Sequence, residues 1–210
     1  MAGKIVAVVG NTAVGKTTLV EQLHRRFPFL VGIEQHEERP FQRLFSQDRQ
    51  RFALANQVDY LLYRAEQERR IRQAGQVGLQ DGGLDMDFRV FTRLFRQRGY
   101  LDSDGYRLCE RLFRLIRGAL PPPELFVWLR APLDVIAARY AARRRPLSIA
   151  NVDDLPDLER YLQEWLTAAG ESEVLILDAS REDKPCSRAI DDLLPRLKAL
   201  GLGGARVSGC

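Results

Sequence analysis

The sequence predicts a three-layer α/β protein in which a five-stranded parallel sheet carries helices on both faces. Three observations support this. Short runs rich in β-branched and aromatic residues alternate with longer segments whose apolar residues recur at helical spacing. The first run leads through a glycine-rich loop straight into a helix. Acidic residues, Glu34 and Asp81, stand at the C-terminal ends of the second and third runs, the edge at which such sheets bind ligands.

The elements follow in order. "KIVAVVG" (4–10) is a buried strand ending in glycine, and "GKTTLVEQLHRRF" is a helix with Leu19, Leu23 and Phe27 on one stripe. Residues 29–34, "FLVGIE", read as the second strand. A helical pattern without glycine or proline then runs from Arg49 to Ala74. "QVGLQD" is the third strand, and two amphipathic helices flank the turn "GYLDSDG". Pro121, Pro122 and Pro123 end that pair. "ELFVWLRA" is the fourth strand, followed by a helix with proline in its first turn and a second helix, "LPDLERYLQEWLTAAG". "EVLILDAS" is the fifth strand and "SRAIDDLLPRLKAL" the last helix.

Composition limits the function classes. The 210 residues suffice for one core, so residues 1–200 are expected to form a single domain, with 201–210 a frayed tail. The net charge of +4 is too small to mark a nucleic-acid binder. The basic run Arg139, Arg143, Arg144, Arg145 has one aromatic residue, Tyr140, within it, so no nucleic-acid partner is expected. It reads as a phosphate clamp or as a solvated helix end. Cys109, Cys186 and Cys210 lack metal-site spacing and are odd in number, which suits thiols in a reducing cytoplasm. No segment approaches the length of a membrane span.

"GNTAVGKT" fits G-x-x-x-x-G-K-[ST] in its required setting, strand before and helix after. Gly10, Asn11, Thr12, Ala13, Val14 and Gly15 form a loop whose N–H groups can cradle an anion, and Thr18 lies in the helix turn that adds its dipole. Lys16 reaches outer phosphates, and Thr17 offers a hydroxyl to Mg²⁺. The motif indicates a P-loop nucleoside triphosphate fold and leaves open what the triphosphate is used for. There is no N-K-x-D guanine motif, and "VGLQD" is a poor match to the acidic strand of an ATPase motor. A small kinase remains.

Further residues make the chain resemble the deoxyribonucleoside kinases, the bacterial deoxyadenosine/deoxyguanosine type in particular, over almost its whole length. "GNTAVGKTT" matches the family's loop, and "IEQHEERPF" keeps Glu34 and Pro40, with Arg39 where the family has asparagine. "FALANQVDYLLYR" places Phe52, Gln57 and Arg64 at the family's spacing. The resemblance implies transfer of the γ-phosphoryl of ATP, with Mg²⁺, to the 5′-hydroxyl of a deoxynucleoside. In that scheme Glu34 is the general base, Thr17 and Asp81 hold Mg²⁺, and Gln57, Arg64 and Asp87 read the base. Without the family, Gln57 reads as a solvated helix residue and Asp87 as a carboxylate favoured by a helix N-terminus. Arg139, Arg143 and Arg145 match an arginine lid at about residues 140–150, and "DASRED" (178–183) matches the loop beside adenine. A homodimer is also implied, through a helix over 84–98 whose Phe88, Val90, Phe91, Leu94 and Phe95 exceed the need of one face.

The pattern breaks at "QDGG". The family carries arginine and serine where this chain has Gly82 and Gly83. Its lid also lacks the acidic residues that often follow the arginines, leaving Asp153 and Asp154 farther on. Three readings stay open: an active kinase with another arginine in the gap (Arg39 being the candidate), an active kinase with room for a bulkier or different acceptor such as a nucleoside monophosphate, or a nucleotide-binding protein without efficient transfer.

Overall fold

A computed structural model describes residues 2–32, 39–143, 149–169, 173–181 and 186–201. Strands β1 (Ile5–Gly10), β2 (Leu30–Gly32), β3 (Gly78–Asp81), β4 (Leu125–Arg130) and β5 (Val174–Asp178) form one parallel sheet in the order β2-β3-β1-β4-β5. The helices are α1 (Lys16–Arg26), α2 (Pro40–Gln47), α3 (Arg49–Ala74), α4 (Leu84–Met86), α5 (Arg93–Gln97), α6 (Ser103–Ala119), α7 (Leu133–Ala142), α8 (Leu155–Ala169) and α9 (Ser187–Ala199). A π-helical turn, Asp87–Thr92, joins α4 to α5.

Period-2 alternation divides the apolar side chains between two faces. Val6 and Val8 of β1 meet Leu19 and Leu23 of α1 and Ile190 and Leu193 of α9. Ala7 and Val9 point the other way, to Val90, Leu94, Leu158 and Leu162. A third core lies away from the sheet, where Phe45, Leu61, Phe88, Phe95 and Phe113 bring α2, α3, the π-helical turn, α5 and α6 together. The long α3 is capped at both ends: the Asp48 carboxylate accepts from the Arg51 N–H at 3.0 Å, and Gly75 turns left-handed at φ 68°.

At the N-terminal edge of the sheet, Arg72 near the end of α3 donates to the carbonyls of Gly3, Pro121 and Pro122 and to the Glu124 carboxylate. The other Glu124 oxygen accepts from the Ile5 N–H at 2.7 Å. One arginine thus ties the chain start, α3 and the proline turn to the first strand.

The strands and long helices lie where the sequence places them, with shorter ends. Helix α2 was not foreseen: it is two turns long, starts with proline at its first position, and buries only Gln42 and Phe45. The helix over 84–98 also differs from expectation. Phe88, Val90, Leu94 and Phe95 are buried within the chain itself. Val90 and Leu94 pack on the sheet, Phe88 stacks on Phe113 with centroids 4.3 Å apart, and Phe95 stacks on Phe45 at 4.8 Å. Phe91 is half-buried against the sheet-side core, so the apolar excess of this segment serves two cores at once.

Candidate active site

Glycine geometry shapes the phosphate loop. A Cβ on Gly10 would stand 2.6 Å from the Leu129 carbonyl, so only glycine fits where β1 passes β4. Gly15, at φ 110°, turns the chain into α1. Asn11 is buried, and its amide braces the loop from within: it accepts from the Thr12 N–H and donates to the Leu155 carbonyl and to Glu159. Lys16 lies across the loop and donates to the carbonyls of Gly10 and Asn11 at 3.0 and 2.9 Å.

A cavity of about 610 Å³ opens from this loop between α1 and the β5–α9 connection. Its wall includes Arg139, Arg143, Asp178, Ala179, Arg181 and Cys186. Arg139 is anchored rather than extended, donating to the carbonyls of Ala179 and Ser180 at 2.7 and 3.3 Å. Asp178 is held below the usual carboxylate range by hydrogen bonds from Ser180. Arg145 and residues 182–183 lie outside the described residues. Asp154, the distant acid considered for the lid, is engaged: it caps its own turn through the Asn151 N–H and accepts from Arg98 at 2.6 Å.

At the end of β3 the Thr17 hydroxyl donates to the buried Asp81 carboxylate at 2.5 Å. Among the described residues no three His, Cys, Asp or Glu side chains form a metal-binding group. One hydroxyl and one carboxylate suit Mg²⁺, which keeps water and takes phosphate oxygens as further ligands.

Beyond Asp81, Gly82 and Gly83 take φ of 82° and 111°, both in the left-handed region that favours glycine. The Gly82 N–H still pairs with the Val8 carbonyl at 2.9 Å, and the Gly83 carbonyl accepts the Asp87 N–H at 3.0 Å. The bend therefore turns β3 into α4 within two residues. A Cβ on Gly82 would meet Arg64 Nη2 at 3.5 Å and Met86 Sδ at 3.7 Å. One on Gly83 would stand 3.1 Å from Gln80 Oε1.

Gln57, Arg64 and Asp87, distant in sequence, converge beside this bend and are buried. Arg64 Nε donates to Asp87 Oδ2 at 2.9 Å, and Nη1 donates to Gln67 Oε1 at 3.1 Å. Gln57 Nε2 donates to the Asp87 carbonyl at 2.8 Å. Gln57 is therefore not a solvated helix residue. Arg39, considered as the substitute cation, is instead held by Asp59, with its guanidinium 4.2 Å from the centre of the Tyr63 ring. Glu34 lies outside the described residues, which resume at Arg39 on one side and end at Gly32 on the other.

Sequence reasoning missed a second buried group beside these. Arg117 of α6 forks onto both Glu68 oxygens at 2.7 and 2.8 Å and reaches Asp85 at 2.5 Å. Burial pushes the Glu68 carboxyl up, against the opposing hydrogen bond and charge of Arg117. A signal existed in the sequence: Arg117 continues the four-residue spacing of Gly105, Cys109 and Phe113 on the buried stripe of α6.

A sequence model of the family described as deoxynucleoside kinase matches residues 6–199. The chain belongs to the deoxynucleoside kinase family. It is 26% identical over 147 residues to the deoxyadenosine/deoxycytidine kinase of Bacillus subtilis (strain 168), covering 69% of this chain and 68% of that one. It is 22% identical over 184 residues to the deoxyguanosine kinase of the same organism, covering 85% and 87%. A solved structure of deoxyadenosine kinase from M. mycoides, with products dCMP and a flexible dCDP bound, superposes at a TM-score of 0.77 with 17% identity, covering 93% of this chain and 99% of that one. A second structure of that enzyme, with dCTP bound, gives 0.76 at 16% identity over 93% and 99%. The fold is the P-loop kinase fold, and the deoxynucleoside kinase is an ATP-dependent nucleoside kinase.

Proposed function

We propose that this deoxynucleoside kinase moves the γ-phosphoryl of ATP to the 5′-hydroxyl of a deoxynucleoside. The observation that carries the reading is the convergence of Gln57, Arg64 and Asp87 one bend away from the Thr17–Asp81 pair. In the proposed reaction the Glu34 carboxylate takes the 5′-hydroxyl proton as that oxygen bonds to the γ-phosphorus. The bond from phosphorus to the bridging oxygen breaks, and ADP leaves. Loop amides and Lys16 hold the phosphates, and the arginine segment with Arg139, Arg143 and Arg145 closes the donor side. Mg²⁺, when held by Thr17 and Asp81, neutralises phosphate charge.

Gln57 offers a donor and an acceptor side by side, which fits adenine, cytosine or guanine. The relatives named for deoxyadenosine, deoxycytidine and deoxyguanosine support an acceptor from that set. Family likeness supports a homodimer, and the cysteine usage supports a cytoplasmic setting.

The experiment is turnover with ATP, Mg²⁺ and each of the four deoxynucleosides, on wild type and Glu34→Gln. Product with at least one nucleoside, and a loss of about 100-fold or more in kcat for the variant, is expected. Unchanged turnover in Glu34→Gln would remove the base assignment. A second reading, nucleotide binding without efficient transfer, draws on the bare Gly82 beside the phosphate site; it predicts Lys16-dependent ATP binding and no product with any nucleoside.

A further inference from the structure

The three side chains proposed to read the base sit on two elements, Gln57 and Arg64 sharing one of them. Arg64 belongs to α3, and Asp87 follows the two-glycine bend. The bend itself is held at both ends, by the Gly82 N–H on the Val8 carbonyl and the Asp87 N–H on the Gly83 carbonyl. The Arg64–Asp87 and Gln57–Asp87 hydrogen bonds join the two elements directly, Leu84 packs with Leu61 in the third core, and a further tie comes from α6.

Arg117 bridges the two elements. Glu68, its partner on α3, lies one helical turn beyond Arg64, on the same side of that helix. Asp85, its partner on α4, lies two residues before Asp87. Glu68 and Asp85 are both buried, and the Arg117 side chain is 12% exposed. Arg89 reaches the other Asp85 oxygen at 3.3 Å from the solvent side. A planar guanidinium forked onto one carboxylate and bonded to another fixes direction as well as distance.

We propose that Arg117 is a positioning residue for acceptor recognition: by clamping Glu68 to Asp85 it sets the spacing at which Arg64 and Asp87 meet the nucleobase. The clamp adds, from α6, a tie to the contacts that α3 and α4 already make with each other. This inference rests on the reading that Asp87 and Arg64 face the base.

The test measures dissociation constants of the four deoxynucleosides by calorimetry for wild type, Arg117→Met, Arg117→Lys, Asp85→Asn, Asp87→Asn and Arg72→Met, with a melting temperature for each. Calorimetry reads recognition independently of turnover. Arg72→Met is the structural control, since that half-buried arginine ties α3 to the opposite edge of the sheet. Arg117→Met is expected to narrow the ratio between the best and worst nucleoside about tenfold. Asp85→Asn should give a smaller change, Arg117→Lys should recover part of it, and the ATP dissociation constant should stay constant. Arg72→Met should lower the melting temperature and leave the ratio alone. Arg117 variants that lose stability with an unchanged ratio overturn the proposal while leaving the base reading in place. An unchanged ratio in Asp87→Asn overturns the base reading and the clamp with it, as does a wild type that binds none of the four. Should Arg117→Met fail to fold, Arg117→Lys and Asp85→Asn decide the matter by the same ratio.

Discussion

Replacing Gly83 by alanine tests whether "QDGG" is a backbone device or only the scar of deleted side chains. Gly83 has φ 111° and ψ 175°, a region open essentially to glycine, where an L residue costs about 1–3 kcal/mol. Its new Cβ would lie 3.1 Å from Gln80 Oε1, so that amide must also shift. Alanine recovers about 0.4–1 kcal/mol by restricting the unfolded chain. The net loss is about 1–2 kcal/mol, which for a chain of this size lowers the melting temperature by about 2–8 °C. Gly82→Ala has room around its Cβ and should lose about 1 kcal/mol, from backbone strain alone. Gly99→Ala calibrates that strain, since Gly99 has φ 70° and nothing within 4 Å of a Cβ. Thermal and urea melts of the three variants measure all of this. If Gly83→Ala matches wild type while Gly99→Ala is destabilised, the bend is not constrained and the reasoning fails. The same geometry bears on placing an arginine at this bend. Gly82→Arg carries the left-handed strain and begins beside the Arg64 guanidinium, so it should not raise kcat.

Other outcomes follow from the described contacts. Lys16→Met should weaken ATP binding and lower kcat/KM by about 100-fold or more, measured by nucleotide titration and initial rates. Cys109, whose thiol is pushed up to about 11 by burial, should resist thiol reagents at pH 8, whereas Cys186 in the cavity wall should be protected from alkylation by ATP. Because the folded Cys109 value lies above its ordinary 9.0, its contribution to stability is complete below about pH 9 and is lost as pH rises through about 11, which a pH series of melts will show. Arg72→Met should cost about 2 kcal/mol or more by urea denaturation, with nucleoside KM unchanged, because four oxygens lose their donor far from the site.

The donor half was legible in the sequence because its chemistry is local. Gly10 to Thr18 needs only a strand before it and a helix after it, and both form. The strands were legible because alternation on β1 and β4 serves cores on both faces. The half proposed for the acceptor depends on meetings between distant residues. Gln57 looks solvated by itself, and its burial comes from Asp87, 30 residues on. Arg39 looked placed for the phosphate, yet Asp59 one helix away claims it. Helix α2 is too short to show a helical period, and the apolar residues at 88–95 serve a third core that no sequence period announces.

The π-helical turn at Asp87–Thr92 sets a limit on how this chain can be shortened. A π turn holds one residue more than the α turn it replaces, and here its wider ring leaves the Asp87 carbonyl open to Gln57 and the Thr92 hydroxyl. Deleting any one residue from 88 to 91 would let an unbroken α-helix run from Leu84 to Gln97, at the expense of rotating one half by about 100° against the other. Either Asp87 turns away from Arg64, or Phe95 leaves its stack on Phe45. The proposed nucleobase site and the outer core are thus coupled through a single surplus residue, so point substitutions along this helix should be tolerated far better than a one-residue gap.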